Sequence, residues 1–448
     1  MLSLPHAAEP LVSNFSIAFT RPTYQRFILL LVGSIVTSGR RTVSRILWTI
    51  RSLVQGHPCS YHRFFSQARW SLWPLAKVLV LSVAALVPMD EPIMVAGDDT
   101  VAEHNGRKIW GKACHRDAVH SGRRWTVRKW GHRWVVLAIL VKLPFASRRW
   151  ALPVLCALYV PPAMSKSQKR RHKVPSQLAQ SLLASLMHWL PQRRFIFLGD
   201  GHFSGHELAD FAHRHRQRLT LIGRLRRNAR LFDKPPKASL RRRCGRPQRK
   251  GKQLPSPGEQ VASARPHKLK VRWYGSTHRR VGVVSGKGIW YRGPLLAPIR
   301  WVCVQDPINK RSDFFYSTDQ KLSSRQIIEL YAARWSLEVT FQECKQHLGL
   351  ESPHQRTRRS VLRAAPCLIG CFSVVTLIYA RMFRTKPPTP RQTFCHHKSE
   401  VTFSDALFSV RREFWAKTIL KQIPGGDFVA KIPPNLRLFV LTHLAEAA

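Results

Sequence analysis

Apolar residues recur at helical spacing through the first 90 positions, in "YQRFILLLVGSIV", "RTVSRILWTIRSLV" and "SYHRFFSQARWSLWPLAKVLVL", with Gly and polar breaks between them. Basic side chains recur on these segments, which predicts a helical, DNA-binding domain over residues 1–90; a plain helical cap is the alternative. Beyond Glu91 the period shortens to two. "PIMVAGDDT" is a short apolar strand ending in two acids, and "RWVVLAILVKLPF" and "RRWALPVLCALYV" are stronger strands joined by a turn at Ala146 and Ser147. "PSQLAQSLLASLMHWLP" has helical spacing and is bracketed by Pro175 and Pro191. "RFIFLGDG" is a strand ending in an acid, "GHELADFAHRH" a short helix and "LTLIG" a further strand. The succession βββαβαβ makes residues 91–230 the first part of an α/β core.

Between Arg224 and Lys252 thirteen residues are basic and one is acidic, among Pro and Gly, which is the composition of an exposed loop. Arg241, Arg242, Arg243 and Arg246 in "RRRCGRPQRKGK" are its candidate DNA contacts, in a minor groove or on phosphates generally. Alternation returns from His267 to Thr318, so residues 231–320 are expected to form a basic loop and a β-rich insertion. Residues 321–385 resume the core. Leu322, Ser323, Gln326 and Ile327 have the spacing of a capping box with its hydrophobic staple, opening one helix that runs to Gly349. "VLRAAPCLIGCFSVVTLIYARMF" is a later, mostly buried helix, and residues 386–448 take no assignment.

The charge sharpens this picture. The 448 residues include 74 Lys and Arg against 24 Asp and Glu, a net charge of +50. Self-repulsion on that scale is answered by a polyanion, so nucleic acid is the leading partner, ahead of an acidic membrane surface. The longest apolar runs, residues 76–88 and 366–380, are shorter than the roughly 20 residues of a membrane span. The first residues lack the basic start and apolar run of an export signal, so a cytoplasmic, nucleoid-associated protein with no membrane partner is expected. Nine Cys without a CxxC pair point to neither a zinc ribbon nor a disulfide framework. His202 and His206 have the spacing of a zinc half-site but lack a third ligand nearby in sequence.

In a chain so poor in acids, those that end strands are informative. Asp98 and Asp99 end the first strand, Asp200 ends the fourth, and Glu338 lies on the late helix with Tyr331, Arg334 and Lys345 on the same stripe, all within about 60° of arc. If the first and fourth strands are neighbours, Asp99 and Asp200 emerge side by side. Converging carboxylates are hard ligands that repel one another until a divalent metal neutralises them. The competing readings are Asp98 and Asp200 as turn residues, and Arg334 with Glu338 as a surface ion pair.

"AGDDT", "FLGDG" and "YAARWSLEVTFQECK", in this order, resemble the DDE transposases of bacterial insertion sequences that carry the Tyr-x2-Arg-x3-Glu-x6-Lys signature. Tyr331, Arg334, Glu338 and Lys345 keep its spacing without departure. The resemblance covers roughly residues 91–380. It implies an RNase H-like mixed-sheet core in which Asp99, Asp200 and Glu338 bind two Mg²⁺ or Mn²⁺ ions, while Tyr331, Arg334 and Lys345 contact DNA near the scissile phosphate. Asp before Thr favours Asp99 as the first ligand, and Asp98 is the alternative. The implied activity is cleavage at element ends by phosphodiester hydrolysis, then joining of the freed 3′-hydroxyl to target DNA. The implied partners are double-stranded DNA, as terminal inverted repeats and target, and a second copy of the chain in a synaptic homodimer. The rival expectations are a non-catalytic, decayed or domesticated DNA-binding protein and an RNase H-like nuclease without strand transfer.

Overall fold

The computed structural model describes residues 3–117, 121–122, 125–236, 249–274, 277–306, 311–384, 389–392, 397–420 and 432–446. Helices α1 (Glu9–Asn14), α2 (Arg21–Val36), α3 (Val43–Thr49), α4 (Cys59–Ser66) and α5 (Leu72–Ala84) come first. Strands β1 (Ile93–Glu103), β2 (Ala113–Arg116), β3 (Arg128–Val141) and β4 (Trp150–Tyr159) follow, then α6 (Pro162–Ser167), α7 (Pro175–Trp189), β5 (Phe195–Gly199), α8 (His206–Arg214) and β6 (Leu219–Arg224). Next are β7 (Leu231–Phe232), α9 (Pro257–Ser263), β8 (His267–Arg272), β9 (His278–Arg292), β10 (Leu295–Asp306) and β11 (Arg311–Ser317). The chain ends in α10 (Ser324–Ala333), α11 (Trp335–Leu348), α12 (Arg358–Met382), α13 (Phe403–Phe414) and a last described helix, Pro434–Glu446. The fold is mixed α/β. The succession expected of an RNase H-like core is present as β1, β3, β4, α7, β5, α8 and β6, with the short β2 added after β1 and the short α6 after β4.

The chain divides into two compact units: residues 1–86, 99–172 and 338–448 form the first, and residues 87–98 and 173–337 the second. Two of the four boundaries cut through an element, β1 between Asp98 and Asp99 and α11 between Leu337 and Glu338.

In the first unit, α12 packs on β4, α4, α5 and α13. It is the one helix, among the described residues, long and apolar enough to cross a membrane, yet most of it is buried in this unit. A helix that is apolar nearly all round needs neighbours on every side. The helices expected to form a separate N-terminal domain supply some of them, and so share a core with α12 and α13. Arg363 fastens this contact, its buried guanidinium donating to the carbonyls of Phe64, Phe65, Ala68 and Trp70. Strands β3 and β4 form the predicted antiparallel pair, from Arg133 opposite Tyr159 to Val141 opposite Trp150. Gly131 of β3 has to be glycine, because a Cβ there would lie 2.1 Å from the Ala102 carbonyl oxygen.

In the second unit, β1 pairs in parallel with β5, and β5 in parallel with β6. The region expected to be a β-rich insertion continues this sheet. β11 pairs antiparallel with β6, β10 with β11, and β9 with β10, while β7 and β8 both pair with β9. The capping box at the start of α10 is present: Gln326 N donates to Ser323 Oγ at 3.2 Å, and Ser323 N to Gln326 Oε1 at 2.9 Å.

Candidate active site

The site of interest in the second unit is built on a row of glycines. Gly97 of β1 stands opposite Gly199 of β5, which stands opposite Gly223 of β6. The chain after β5 folds back over this row. A Cβ on Gly199 would lie 2.3 Å from the Phe203 carbonyl oxygen, and one on Gly223 would lie 2.1 Å from Ser204 Cβ. The turn is closed by Phe203 N donating to Asp200 O at 3.1 Å. Asp200 Oδ1 accepts from His202 N at 3.0 Å and from Phe203 N at 3.2 Å, an Asx-type turn that fixes the carboxylate. Two strands hold the far end of the turn. Ser204 Oγ donates to Arg224 O at the end of β6, and the buried Tyr316 hydroxyl of β11 donates to Ser204 O at 2.8 Å.

Asp98 follows Gly97 as Asp200 follows Gly199, so the two acids lie one residue beyond the last paired residues of adjacent parallel strands. Asp98 Oδ2 accepts from Arg334 Nη1 at 2.6 Å, with side chains only 15% and 9% exposed. Asp99 has a different companion. It lies in the first unit, where Arg133 Nη2 of β3 donates to its Oδ2 at 2.5 Å. The β1–β5 register sets Asp98 level with Asp200, and successive side chains of a strand point to opposite faces, which favours Asp98 over the expected Asp99 as the partner of Asp200.

The expected single helix is two. Arg334 N donates to Tyr331 O at 3.1 Å and Leu337 N to Arg334 O at 2.9 Å, a three-residue spacing that tightens the turn between α10 and α11. Tyr331 is buried, with its ring 4.3 Å from that of Phe315 on β11, and its hydroxyl pKa is pushed up to about 12 by burial, against the pull of Arg334 and Arg224. It lies under the Arg334 guanidinium, 5.6 Å from ring centre to Cζ, and so supports that side chain. Trp335 is exposed, with its ring 5.6 Å from that of Tyr274.

In the first unit, Glu338 is partly exposed and opens the stretch of α11 that Thr340 Oγ1 anchors to Ala151 O of β4 at 2.8 Å. Lys345 Nζ is 3.4 Å from Glu351 Oε1, an oxygen that also accepts from Glu103 N at 3.2 Å. Arg241, Arg242, Arg243 and Arg246 lie outside the described residues. His202 is exposed, with its Nδ1 4.0 Å from Asp200 Oδ2. His206 turns instead onto Trp290, 3.8 Å between ring centres, where burial, then Arg292 and Arg226, lower its pKa to about 4.

Among the described residues no group of three or more His, Cys, Asp or Glu side chains is arranged to hold a metal by itself. Asp98 and Asp200 nevertheless suit Mg²⁺, a hard ion usually bound by one or two carboxylates and completed by waters and substrate phosphates. Sequence reasoning missed the glycine row, Arg133 and Tyr316. The first was open to it, since "AGDD", "LGDG" and "LIGR" each carry a Gly at the end of an apolar run.

A family model described as DDE superfamily endonuclease matches residues 14–280, a stretch that contains Asp98, Asp99 and Asp200 and ends before α10. No curated protein matches the chain. Among solved structures, it is similar to the cryo-EM structure of the piggyBac transposase synaptic complex with hairpin DNA, at 10% identity and a TM-score of 0.41, over 98% of this chain and 81% of that one.

Proposed function

The chain belongs to the DDE superfamily endonucleases, and from that premise we propose that it is an insertion-sequence DNA transposase that cuts element ends and joins the freed 3′-hydroxyl to target DNA. The observation that carries this reading is the placing of Asp98 and Asp200 at equivalent ends of adjacent parallel strands, within the matched stretch of a chain with a net charge of +50. The Tyr331, Arg334, Glu338, Lys345 spacing supports the bacterial insertion-sequence assignment.

Asp98 and Asp200, with Glu338 as the signature implies, are the residues that would hold Mg²⁺ or Mn²⁺. When bound, such ions activate the attacking water or 3′-hydroxyl and stabilise the leaving oxygen. The glycine row and the Asx turn hold Asp200 at the strand end, so its carboxylate needs little reordering to act. Arg334, supported by Tyr331, offers a rigid fork for a phosphate, and Lys345 a point charge. Two copies of the chain bring together two element ends, and the excess basic charge holds both duplexes.

The test is incubation of the full chain with a supercoiled plasmid carrying the DNA that flanks its own reading frame, with Mg²⁺ or Mn²⁺ and with EDTA. Metal-dependent nicks at inverted repeats followed by joined products are expected. Nicks without joined products reduce the reading to an endonuclease without strand transfer. DNA binding that is indifferent to chelation, with no cleavage, replaces it with a non-catalytic binder.

A further inference from the structure

The two acids at the strand ends are held in opposite ways. Asp200 spends one oxygen on the N–H groups of His202 and Phe203 and is 30% exposed. Asp98 is more deeply buried, and its Oδ2 is held by a guanidinium that is itself 9% exposed. That guanidinium is restrained in turn: Tyr331 lies beneath it, Phe315 lies against Tyr331, and the tightened turn at Arg334 sets its starting point. A divalent ion and an Arg Nη1 compete for the same carboxylate lone pairs. Two cations crowded on one mostly buried carboxylate repel each other where water screens them poorly. A phosphate is a matching partner for the Arg fork, and it arrives with DNA.

We propose that Arg334 is a latch on the first metal ligand: in the DNA-free protein it occupies Asp98 and depresses metal affinity, and an incoming DNA phosphate draws it away and opens Asp98 to the ion. This rests on the reading of Asp98 and Asp200 as metal ligands. The latch couples metal loading to DNA binding, and by linkage each tightens the other. A protein built this way does not hold a charged metal centre while it is away from DNA.

The test is titration of the full chain with Mn²⁺ in the absence of DNA, followed by the paramagnetic signal of the free ion. Arg334→Gln is expected to bind Mn²⁺ about tenfold more tightly than the parent. Adding a short duplex is expected to tighten Mn²⁺ binding in the parent and to do so less in the variant. Equal affinity in parent and variant, or weaker binding in Arg334→Gln, overturns the latch. So does an equal gain in Arg133→Gln, because the effect is then only the loss of one positive charge near the end of β1. If Arg334→Gln unfolds, Arg334→Lys keeps the charge, loses the fork and carries the same test with a smaller expected gain. Asp98→Asn separates the two layers: unchanged Mn²⁺ binding there refutes Asp98 as a ligand, whereas lost binding there with no gain in Arg334→Gln refutes the latch alone.

Discussion

Asp98 and Asp99 are neighbours in the chain with different companions, Arg334 for one and Arg133 for the other. Asp98→Asn is expected to lower metal-dependent nicking of supercoiled DNA on the order of a thousandfold, the scale of losing several kcal/mol of charge stabilisation. Asp99→Asn is expected to keep nicking within about tenfold and to lose about 1 kcal/mol of stability with its ion pair. The reverse ranking, read from the same nicking gel and melting curve, restores Asp99 as the ligand. Spacing and scarcity singled out the acids in the sequence, but choosing between two adjacent ones is a matter of strand register, where a one-residue slip exchanges the faces. That register comes from the partnership of Gly97 with Gly199, which no local pattern displays. The helical character of α10 and α11 was legible too. The burial of Tyr331 was not, because Phe315 reaches it from a strand whose place in the sheet is a long-range fact.

Among elements, the turn after β5 bears most on the chemistry. Gly199→Ala introduces a methyl group 2.3 Å from a main-chain oxygen, so the turn has to open. The expected result is a stability loss of about 1–3 kcal/mol together with at least a tenfold drop in nicking, since the displaced group is the hydrogen-bonded seat of Asp200. Wild-type nicking and melting in Gly199→Ala would show that the turn tolerates the shift. Helices were the readily legible elements. The capping box at Ser323 and Gln326 forms with both hydrogen bonds, because capping is settled within four residues. The break at Arg334 escaped notice because helix-forming residues flank it on both sides. The pairing of β11 with β6 escaped it because strand partners are chosen across the molecule.

For the whole molecule the dominant quantity is the net charge of +50. Affinity for a duplex, followed by fluorescence anisotropy, is expected to fall by about a thousandfold or more between roughly 50 and 200 mM salt, as it does for proteins that neutralise many phosphates. A shallow slope would mean that the basic residues are not spread along DNA. The sequence announced the charge, but not that the N-terminal helices share a core with α12, since an apolar helix does not name its neighbours. Nor did it show that the strands arriving after the basic loop reach back to the turn of Asp200. The Tyr316 hydroxyl holds the Ser204 carbonyl from β11, and β11 covers the edge of β6 from Ile222 to Arg224. A stretch that resembles a removable cassette in the linear gene is thus part of the mount of Asp200. Trimming from Leu225 to Ser317 would both bare a strand edge that invites aggregation and loosen the aim of Asp200, so a smaller relative built on the same core has to find another brace for both.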